Sequence, residues 1–448
     1  MGRKSHSRSL AIWANGVRVG LWTLPARGDA TLHYDPQWVA SDAGRPLSLS
    51  LPFNLDNRPL KGPAVANYFD NLLPDSDQIR KRVAERFHTG STDPFDLLQA
   101  IGRDCVGAVQ LLAEDEGPED VDTVQAQPLS EKDIERHLLE AVSPSKFGAA
   151  GEPDDDFRIS LAGAQEKAAF LRWEGKWCQP RASTPTTHIF KLPLGLVGGR
   201  QADFSTSVDN EWVCLRLMKA YGLDVAEASI ERFGSQRVLV VERFDRRTAP
   251  GGSWILRLPQ EDFCQVLGVS PLRKYENQGG PGLKALFSTL QQSERAEEDM
   301  RTLLTAQVLF WLMCAPDGHA KNFSIHLLPR GRFRLTKLYD VMSGYPVLGD
   351  GPNQWSPHEV SLAMALLGKN RHYRIRDIRR RHFNSTAKLV GYAESAEPIV
   401  QELIERTPAA IAQVRTELPA DINPKVVDAI LGGVEKAAQS LQHMGPED

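Results

Sequence analysis

Two short polar stretches carry residue types that could transfer a phosphoryl group. The first is a loop with Asp317, His319, Lys321 and Asn322 directly after an apolar run, and the second places Asp340 at the end of another apolar stretch. Phosphoryl transfer needs one carboxylate to orient the attacking hydroxyl, and an amide and a second carboxylate to hold magnesium. We therefore predict that Asp317 takes the first role and that Asn322 and Asp340 are the magnesium ligands. A plain Asp-Gly turn after a buried helix is the alternative.

The elements around this loop can be predicted from periodicity. Between Asn322 and Asp340 the chain alternates apolar and polar residues, which predicts a β-hairpin with strands over 323–328 and 332–338. Before the loop, residues 299–314 are apolar almost all round, so we expect a long helix with a helical lobe packed around it.

A lysine in an apolar strand is the next candidate. Residues 187–194 alternate like a strand and place Lys191 among apolar neighbours. Lysine is seldom buried without a partner, and a strand lysine contacts the α- and β-phosphates of ATP in kinases. Glu211, near the start of a helix predicted from Ser207, is its expected partner. The alternative is a surface lysine on an edge strand.

Two further segments could hold a nucleotide. Small residues at Ala162, Gly163 and Ala164 let backbone amides come close to phosphates, although a structural turn is the alternative. The β-rich run 237–247 ends abruptly in charge, as a hinge between two lobes would. The backbone of Glu242 to Phe244 would then bind adenine. A central strand with a polar end would give the same pattern.

Composition limits the class of protein. The chain has 448 residues, of which 41% are hydrophobic and 25% charged, with a formal net charge of −4. This predicts a globular protein of two or three domains, with nucleic-acid contacts confined to local patches. Five scattered cysteines without a C-x-x-C pair predict reduced, buried thiols. With no signal peptide and no apolar run long enough for a bilayer, we expect a cytoplasmic protein without membrane contact.

The fold class predicted from these patterns is α+β, with a small N-terminal α/β module ahead of a bilobal, protein-kinase-like fold. The expected divisions are 1–113 for the module, 114–150 for a linker and connecting helix, 151–246 for the sheet of a kinase N-lobe, and 247–448 for a mostly helical C-lobe. Within the module, alternation predicts a strand over 47–52.

A basic run near the C-terminus stands out in a chain that is acidic overall. Residues 369–382 concentrate cations and include an aromatic residue and two histidines. Such a run is commonly a solvated surface, and a contact with a DNA backbone is the other interpretation. The candidate DNA-contacting residues are Arg374, Arg376, Arg379, Arg380 and Arg381. Beyond the run, the pattern predicts helices over 386–392, 398–405 and 426–441.

Taken together, the motifs resemble the HipA family of toxin serine/threonine kinases from type II toxin–antitoxin modules. In the front module the resemblance rests on Arg45-Pro-Leu-Ser-Leu-Ser-Leu-Pro, Phe69-Asp-Asn-Leu-Leu-Pro-Asp, Pro94-Phe-Asp-Leu-Leu and Ile101-Gly-Arg-Asp. In the remainder it rests on Ile159-Ser-Leu-Ala-Gly-Ala-Gln-Glu-Lys, Thr186-Thr-His-Ile-Phe-Lys-Leu-Pro, Val241-Glu-Arg-Phe-Asp-Arg-Arg, Leu258-Pro-Gln-Glu-Asp, Asp317-Gly-His-Ala-Lys-Asn and Tyr339-Asp340.

The resemblance implies roles for individual residues. Asp317 would be the proton-accepting aspartate, Asn322 and Asp340 the Mg²⁺ ligands, and Ser160 the position that family members autophosphorylate. Two negative charges added there would repel ATP from the adjacent loop. The residues implied to line the nucleotide site are Ala162, Gly163, Ala164, Gln165, Glu166, Lys167, Lys191, Glu242, Arg243, Phe244, His319, Ala320, Lys321, Asn322, Tyr339 and Asp340.

The resemblance also implies partners. Family members are held inactive by HipB, a small helix-turn-helix antitoxin that binds operator DNA, and members with known targets phosphorylate aminoacyl-tRNA synthetases. We therefore expect a HipB-like antitoxin, operator DNA and a synthetase as partners of this chain. Two alternatives remain: a small-molecule or lipid kinase on the same fold, and a co-repressor without turnover.

Overall fold

An antiparallel sheet forms the N-terminal part of the chain. The computed structural model describes residues 7–142, 162–163, 165–198 and 201–447. The sheet has the strand order β4-β3-β2-β1-β5, with β1 (Arg8–Ala14), β2 (Val17–Leu24), β3 (Thr31–Tyr34), β4 (Leu60–Lys61) and β5 (Gln110–Ala113). Four helices accompany it: α1 (Pro36–Ala40), α2 (Pro63–Asp70), α3 (Asp77–Arg86) and α4 (Pro94–Ile101).

Local sequence explains most of this module. Asn15 and Gly16 both have positive φ, as the two-residue turn between β1 and β2 requires. The strand predicted over 47–52 is wrong, because this stretch is irregular. Its alternation has another cause: the hydroxyls of Ser48 and Ser50 both donate to the carbonyl of Gln265, so the polar positions serve a contact with the C-lobe instead of a strand ladder.

The second sheet has six antiparallel strands in the order β12-β13-β9-β7-β8-β6. The elements of this part are β6 (Ala126–Pro128), α5 (Glu131–Val142), β7 (Lys167–Trp173), β8 (Lys176–Pro180), β9 (His188–Lys191), β10 (Leu196–Val197), β11 (Ala202–Asp203), α6 (Ser207–Ala220), β12 (Ala228–Phe233) and β13 (Gln236–Glu242). The segment predicted as a linker and connecting helix supplies the edge strand β6 and the helix α5, whose Ile134 and Leu138 pack with Phe170 of β7.

The remaining chain is the C-lobe, with short strands among longer helices. Its strands are β14 (Arg246–Thr248), β15 (Ile255–Arg257), β16 (Gln260–Asp262), β17 (Ser324–Leu327), β18 (Phe333–Leu335), β19 (Ser361–Leu367) and β20 (Arg371–Arg374). Its helices are α7 (Phe263–Val266), α8 (Leu283–Leu290), α9 (Ala296–Leu312), α10 (Arg380–Leu389), α11 (Glu397–Thr416) and α12 (Pro424–His443). The predicted hairpin is confirmed as β17 and β18, which pair antiparallel.

The helix α9 is the centre of the largest core. Every residue from Leu303 to Leu312 is buried, so the prediction of a helix surrounded by a helical lobe is confirmed. The predicted α+β class with a bilobal, kinase-like arrangement is confirmed as well. All five cysteines are buried and free. In the described part of the chain, no helix has the length and apolar character needed to cross a bilayer.

Candidate active site

Lys191 lies at the end of β9, between β7 and β13, where it is almost completely buried. Its ammonium donates to Oε1 of Glu211 on α6 at 2.6 Å and to Oδ1 of Asp340 at 2.7 Å. The expected contact with Glu211 is therefore confirmed, and the surface alternative for Lys191 is wrong. Three segments that are far apart in sequence meet at this ammonium.

The charges of this cluster stabilise one another. Burial disfavours the charge on Lys191, but Asp340 and Glu211 outweigh it and raise the pKa of the lysine. Burial also opposes ionisation of Asp340, yet Lys191 and Lys167 hold its pKa well below the usual range. For Glu211 burial dominates and raises the pKa. Both carboxylates favour the charged form of Lys191, and Asp340 has the larger effect.

The backbone at Asp340 is held in an unusual conformation. Asp340 has a φ of 60°, in the left-handed region that non-glycine residues seldom adopt. A clamp from α6 fixes the following segment: Ser343 donates its N–H to Oδ1 of Asn210 at 2.7 Å, and the Asn210 amide donates back to the Ser343 carbonyl at 2.8 Å. The helix that carries Glu211 thus also positions Asp340.

The loop after α9 presents Asp317, whose side chain is 44% exposed. Its Oδ1 accepts a hydrogen bond of 2.5 Å from the Tyr275 hydroxyl. The side-chain amide of Asn322 donates to the Asp317 carbonyl at 2.6 Å and so braces the loop. Gly318 is required here because a Cβ would lie 2.3 Å from the ring of Phe310.

His319 is buried against the same tyrosine. Its ring meets that of Tyr275 edge-on, with 4.9 Å between centroids. Burial lowers the pKa of His319, so the imidazole is neutral at physiological pH. Its Nε2 lies 3.9 Å from Oδ1 of Asp317, beyond hydrogen-bond distance.

The donor set is suited to magnesium. The Asn322 side-chain nitrogen donates to the Asp317 carbonyl, and no described residue donates a hydrogen bond to its amide oxygen. Asp340 uses Oδ1 for Lys191 and offers its second carboxylate oxygen. Among the described residues no cluster of three His, Cys, Asp or Glu side chains could hold a metal. One carboxylate and one amide, completed by phosphates and water, is a set that Mg²⁺ accepts.

Lys321, which the resemblance implies for the nucleotide site, extends its side chain toward the N-terminal module. Its side chain is buried and directed to the N-terminal module, where the ammonium donates to Oδ1 of Asn71 at 2.9 Å and to the Asn71 carbonyl at 3.1 Å. Asp75 and Asp262 supply carboxylates at 3.3 and 3.6 Å. A buried ammonium needs acceptors, and these contacts anchor the loop that carries Lys321 to the N-terminal module.

The segment predicted to bind adenine, 242–244, has a backbone N–H that no described residue accepts. Glu242 donates its N–H to the Glu227 carbonyl at 2.8 Å, and Arg243 donates its N–H to the Thr187 carbonyl at 2.9 Å. The described residues supply no acceptor for the N–H of Phe244. The Phe244 ring lies 5.6 Å from that of Tyr339, centroid to centroid.

The predicted phosphate loop is described in part, since Ser160 and Ala164 lie outside the described residues. Gly163 has a φ of 110°, which favours glycine. Lys167 donates from its ammonium to the Ala162 carbonyl at 2.9 Å, and Gln165 donates to the Leu192 carbonyl at 2.5 Å. Glu166 forms an ion pair with Arg82 of α3.

The basic run does not present all of its arginines. Arg374, Arg376, Arg379 and Arg381 are exposed. Arg380 is 3% exposed, and its guanidinium is held by both carboxylate oxygens of Glu397. The prediction of a DNA contact is therefore wrong for Arg380: in a helix only every third or fourth residue faces one way, so a run of cations cannot all face solvent.

Sequence reasoning missed four residues of this site: Tyr275, Asn71, Asp75 and Asp262. Tyr275 follows a lysine in a loop without periodicity, so nothing in its surroundings marks it. Asn71 and Asp75 do belong to the motif starting at Phe69, which contributed to the resemblance. The N-terminal module carries no catalytic residues of its own. A polar motif in such a module indicates that the motif contacts another part of the protein.

A buried pair of a strand lysine and a helix glutamate, beside a helical lobe whose loops present an aspartate, an asparagine and a second aspartate, defines a protein of the kinase-like class. Residues 159–411 match the family described as HipA-like C-terminal domain, and residues 10–112 match HipA N-terminal domain. The chain belongs to the HipA family of toxin–antitoxin serine/threonine kinases.

Individual relatives agree with this assignment. The kinase candidate Y4mE of Sinorhizobium fredii is 36% identical over 76% of this chain and 79% of its own. The serine/threonine-protein kinase toxin HipA of Shewanella oneidensis is 27% identical over 80% of this chain and 78% of its own. A solved Shewanella oneidensis HipA, in complex with HipB and operator DNA, has the same fold, with a TM-score of 0.78, 23% identity and coverage of 97% and 98% of the two chains.

Proposed function

We propose that this kinase transfers the γ-phosphoryl group of ATP, with Mg²⁺, to a serine or threonine hydroxyl of a protein and so acts as the toxin of a type II module. The observation that carries the proposal is the Lys191 ammonium, placed 2.6 Å from Glu211 and 2.7 Å from Asp340. Kinases use this pairing to hold the α- and β-phosphates beside the metal.

Each residue has a defined part in the reaction. Asp317 accepts the proton of the attacking hydroxyl through its exposed carboxylate, while the γ-phosphorus–oxygen bond to ADP breaks and the new bond to the acceptor oxygen forms. Lys191 neutralises phosphate charge. Asn322 and Asp340 would hold Mg²⁺, which neutralises charge that develops on the phosphate oxygens. The Phe244 N–H is positioned to donate to adenine.

The variant Asp317→Asn tests the assignment of the base. It keeps an acceptor for the Tyr275 hydroxyl but cannot take a proton, so transfer from labelled ATP should fall by about 10²-fold or more, with the thermal midpoint unchanged. Asp350→Asn is the matched control, because Asp350 is exposed and outside the site. If Asp317→Asn moved the γ-phosphate as fast as the control, Asp317 would not be the base.

The substrate of this kinase and the regulation of its activity can be proposed as well. Membership of the family supports an aminoacyl-tRNA synthetase as substrate, autophosphorylation at Ser160 as self-inactivation, and a HipB-like antitoxin that binds operator DNA together with this chain. Mass spectrometry of the purified chain with and without ATP should find one added phosphate at Ser160, and Ser160→Ala should remain active under the same conditions. Labelled ATP with purified synthetases identifies the substrate, and an absence of any labelled synthetase contradicts that part.

A further inference from the structure

One turn of the N-terminal module contacts three separate segments of the active site. This turn, residues 71–76, connects α2 to α3. Its Asp75 places Oδ1 3.3 Å from the ammonium of Lys321 and Oδ2 2.8 Å from that of Lys274. The backbone N–H of Asp75 donates to the Gly163 carbonyl of the phosphate loop at 3.0 Å.

The first contact reaches the metal side of the site. Lys321 directly precedes Asn322, and its ammonium is buried among acceptors. Two of these residues, Asn71 and Asp75, come from the N-terminal module, whereas Asp262 comes from the C-lobe and lies farther away, at 3.6 Å. The N-terminal module therefore supplies the nearer partners of a lysine in the catalytic loop.

The second contact reaches the acceptor side. Lys274 directly precedes Tyr275, whose hydroxyl donates to Asp317. Burial opposes the charge of Asp75, but Lys321 and Lys274 lower its pKa, so the carboxylate is ionised between the two ammonium groups. The pKa of Tyr275 is raised by burial, by Asp317 and also by Asp75, which agrees with a shared electrostatic environment.

We propose that Asp75 is a positioning residue for phosphoryl transfer: its carboxylate joins Lys321 to Lys274 and thereby fixes Asn322 and Asp317 relative to each other, so that the N-terminal module completes the active site. This inference rests on the proposed kinase function. It concerns a residue outside the kinase lobes that touches neither nucleotide nor acceptor and acts through the two loops that do.

The geometry predicts which kinetic constant should change. Asp75→Asn keeps the size of the side chain and the backbone bond to Gly163, so the phosphate loop keeps its anchor. It removes the charge that holds two lysines together, one of them buried. Displacement of catalytic groups by about an ångström costs up to roughly a hundredfold in rate. Lys191 and the Phe244 N–H are untouched, so ATP binding should persist.

The test uses the full chain with labelled ATP and a protein acceptor. If no acceptor is in hand, the rate constant of phosphate incorporation at Ser160 takes the place of kcat. Asp75→Asn should lower kcat by about ten- to a hundredfold with a KM for ATP within about twofold and an unchanged thermal midpoint. Asp77→Asn is the matched control: it lies two residues away, is exposed and makes the same chemical change. It should retain the wild-type kcat.

A second variant keeps the test decisive if Asp75→Asn does not fold. Lys274→Gln leaves the buried Lys321 paired with Asp75 and removes the bridge toward Tyr275, together with the contact between the Lys274 ammonium and the Tyr275 ring. It should therefore also lower kcat. In the double variant the two losses should not add, because both break one bridge. A folded Asp75→Asn or Lys274→Gln with wild-type kcat, or additive losses, overturns the inference. A wild-type chain that transfers no phosphate would instead refute the proposed function.

Discussion

At the scale of single residues, the charge state of a buried ionisable group depends on whether it has an oppositely charged partner. Lys191 is buried and Asp340 is partly buried, and their opposite charges stabilise each other. Glu261 on β16 is fully buried without a cation: its Oε1 accepts from the Leu49 N–H at 2.8 Å, and no described residue bonds its Oε2. Burial raises the pKa of Glu261 to about 8. A carboxyl group in such a site prefers the neutral form.

Glu261 should make the protein lose stability as pH rises. Its pKa is about 8 in the folded chain against 4.5 for the reference group. Between these values the folded state binds more protons than the unfolded state, so the stabilising contribution is complete below the reference pKa and is lost as pH rises through about 8. The side chain in Glu261→Gln is neutral at every pH. This variant should therefore lack the pH-dependent decline in the free energy of unfolding, which is of the order of a few kcal/mol in the wild type.

Urea unfolding at about pH 5, 7 and 9 measures this difference. The free energy of unfolding of Glu261→Gln minus that of the wild type should increase with pH and level off at the alkaline end. Glu435→Gln is the control, because Glu435 is exposed on α12. Parallel pH curves for the wild type and Glu261→Gln would show that this carboxyl is not neutral in the folded protein.

At the scale of elements, periodicity located most helices and strands but not their ends. The hairpin of β17 and β18 and the helix α9 follow from alternation and from an unbroken apolar run. The strand predicted over 47–52 failed because alternation shows only that alternate residues face different surroundings, and here the polar ones bond the C-lobe. Contacts that are distant in sequence, such as Asn71 with Lys321, leave no local pattern.

The helix α11 also shows that local sequence does not fix where an element ends. The sequence predicts a helix over 398–405, but α11 continues through Pro408 to Thr416. Proline lacks the N–H for the carbonyl four residues earlier and normally ends a helix. Burial overrides this preference: Thr407 is buried, and its hydroxyl lies 2.8 Å from that of Tyr221. Packing of the inner face of α11 thus holds the helix together across the proline.

Replacing this proline should stabilise the protein. Pro408 is exposed, so Pro408→Ala restores a backbone hydrogen bond without changing the core. The free energy of unfolding should rise by about 1–2 kcal/mol. This value includes the opposing effect that alanine makes the unfolded chain more flexible. Pro424→Ala is the matched control, because Pro424 occupies the first turn of α12, where proline costs nothing. Equal stabilities of the two variants in urea would refute the account.

At the scale of the whole molecule, the N-terminal module is joined to both ends of the kinase site. Beside the segment proposed as the hinge, Asp104 accepts from Arg246 at 2.8 Å and from Arg243 at 3.2 Å, all of them buried. At the catalytic loop, Asn71 and Asp75 bind Lys321. Removing one member of a buried ion pair commonly costs about 3–5 kcal/mol. The module is therefore part of the scaffold that sets the site geometry.

The exposed part of the basic run should contribute to the salt dependence of operator binding. Arg374 and Arg381 are exposed and have no ion pair with a described residue. Each phosphate contact contributes about 0.9 to the slope of log K against log salt. For the complex with a HipB-like antitoxin on its operator, Arg374→Gln/Arg381→Gln should reduce the slope by about 1.8, as measured by fluorescence anisotropy of the operator duplex.

Arg27→Gln/Arg247→Gln changes net charge equally at exposed positions elsewhere and should keep the wild-type slope. Equal slopes for the two double variants would place the DNA away from this run, because a change in net charge alone affects both alike.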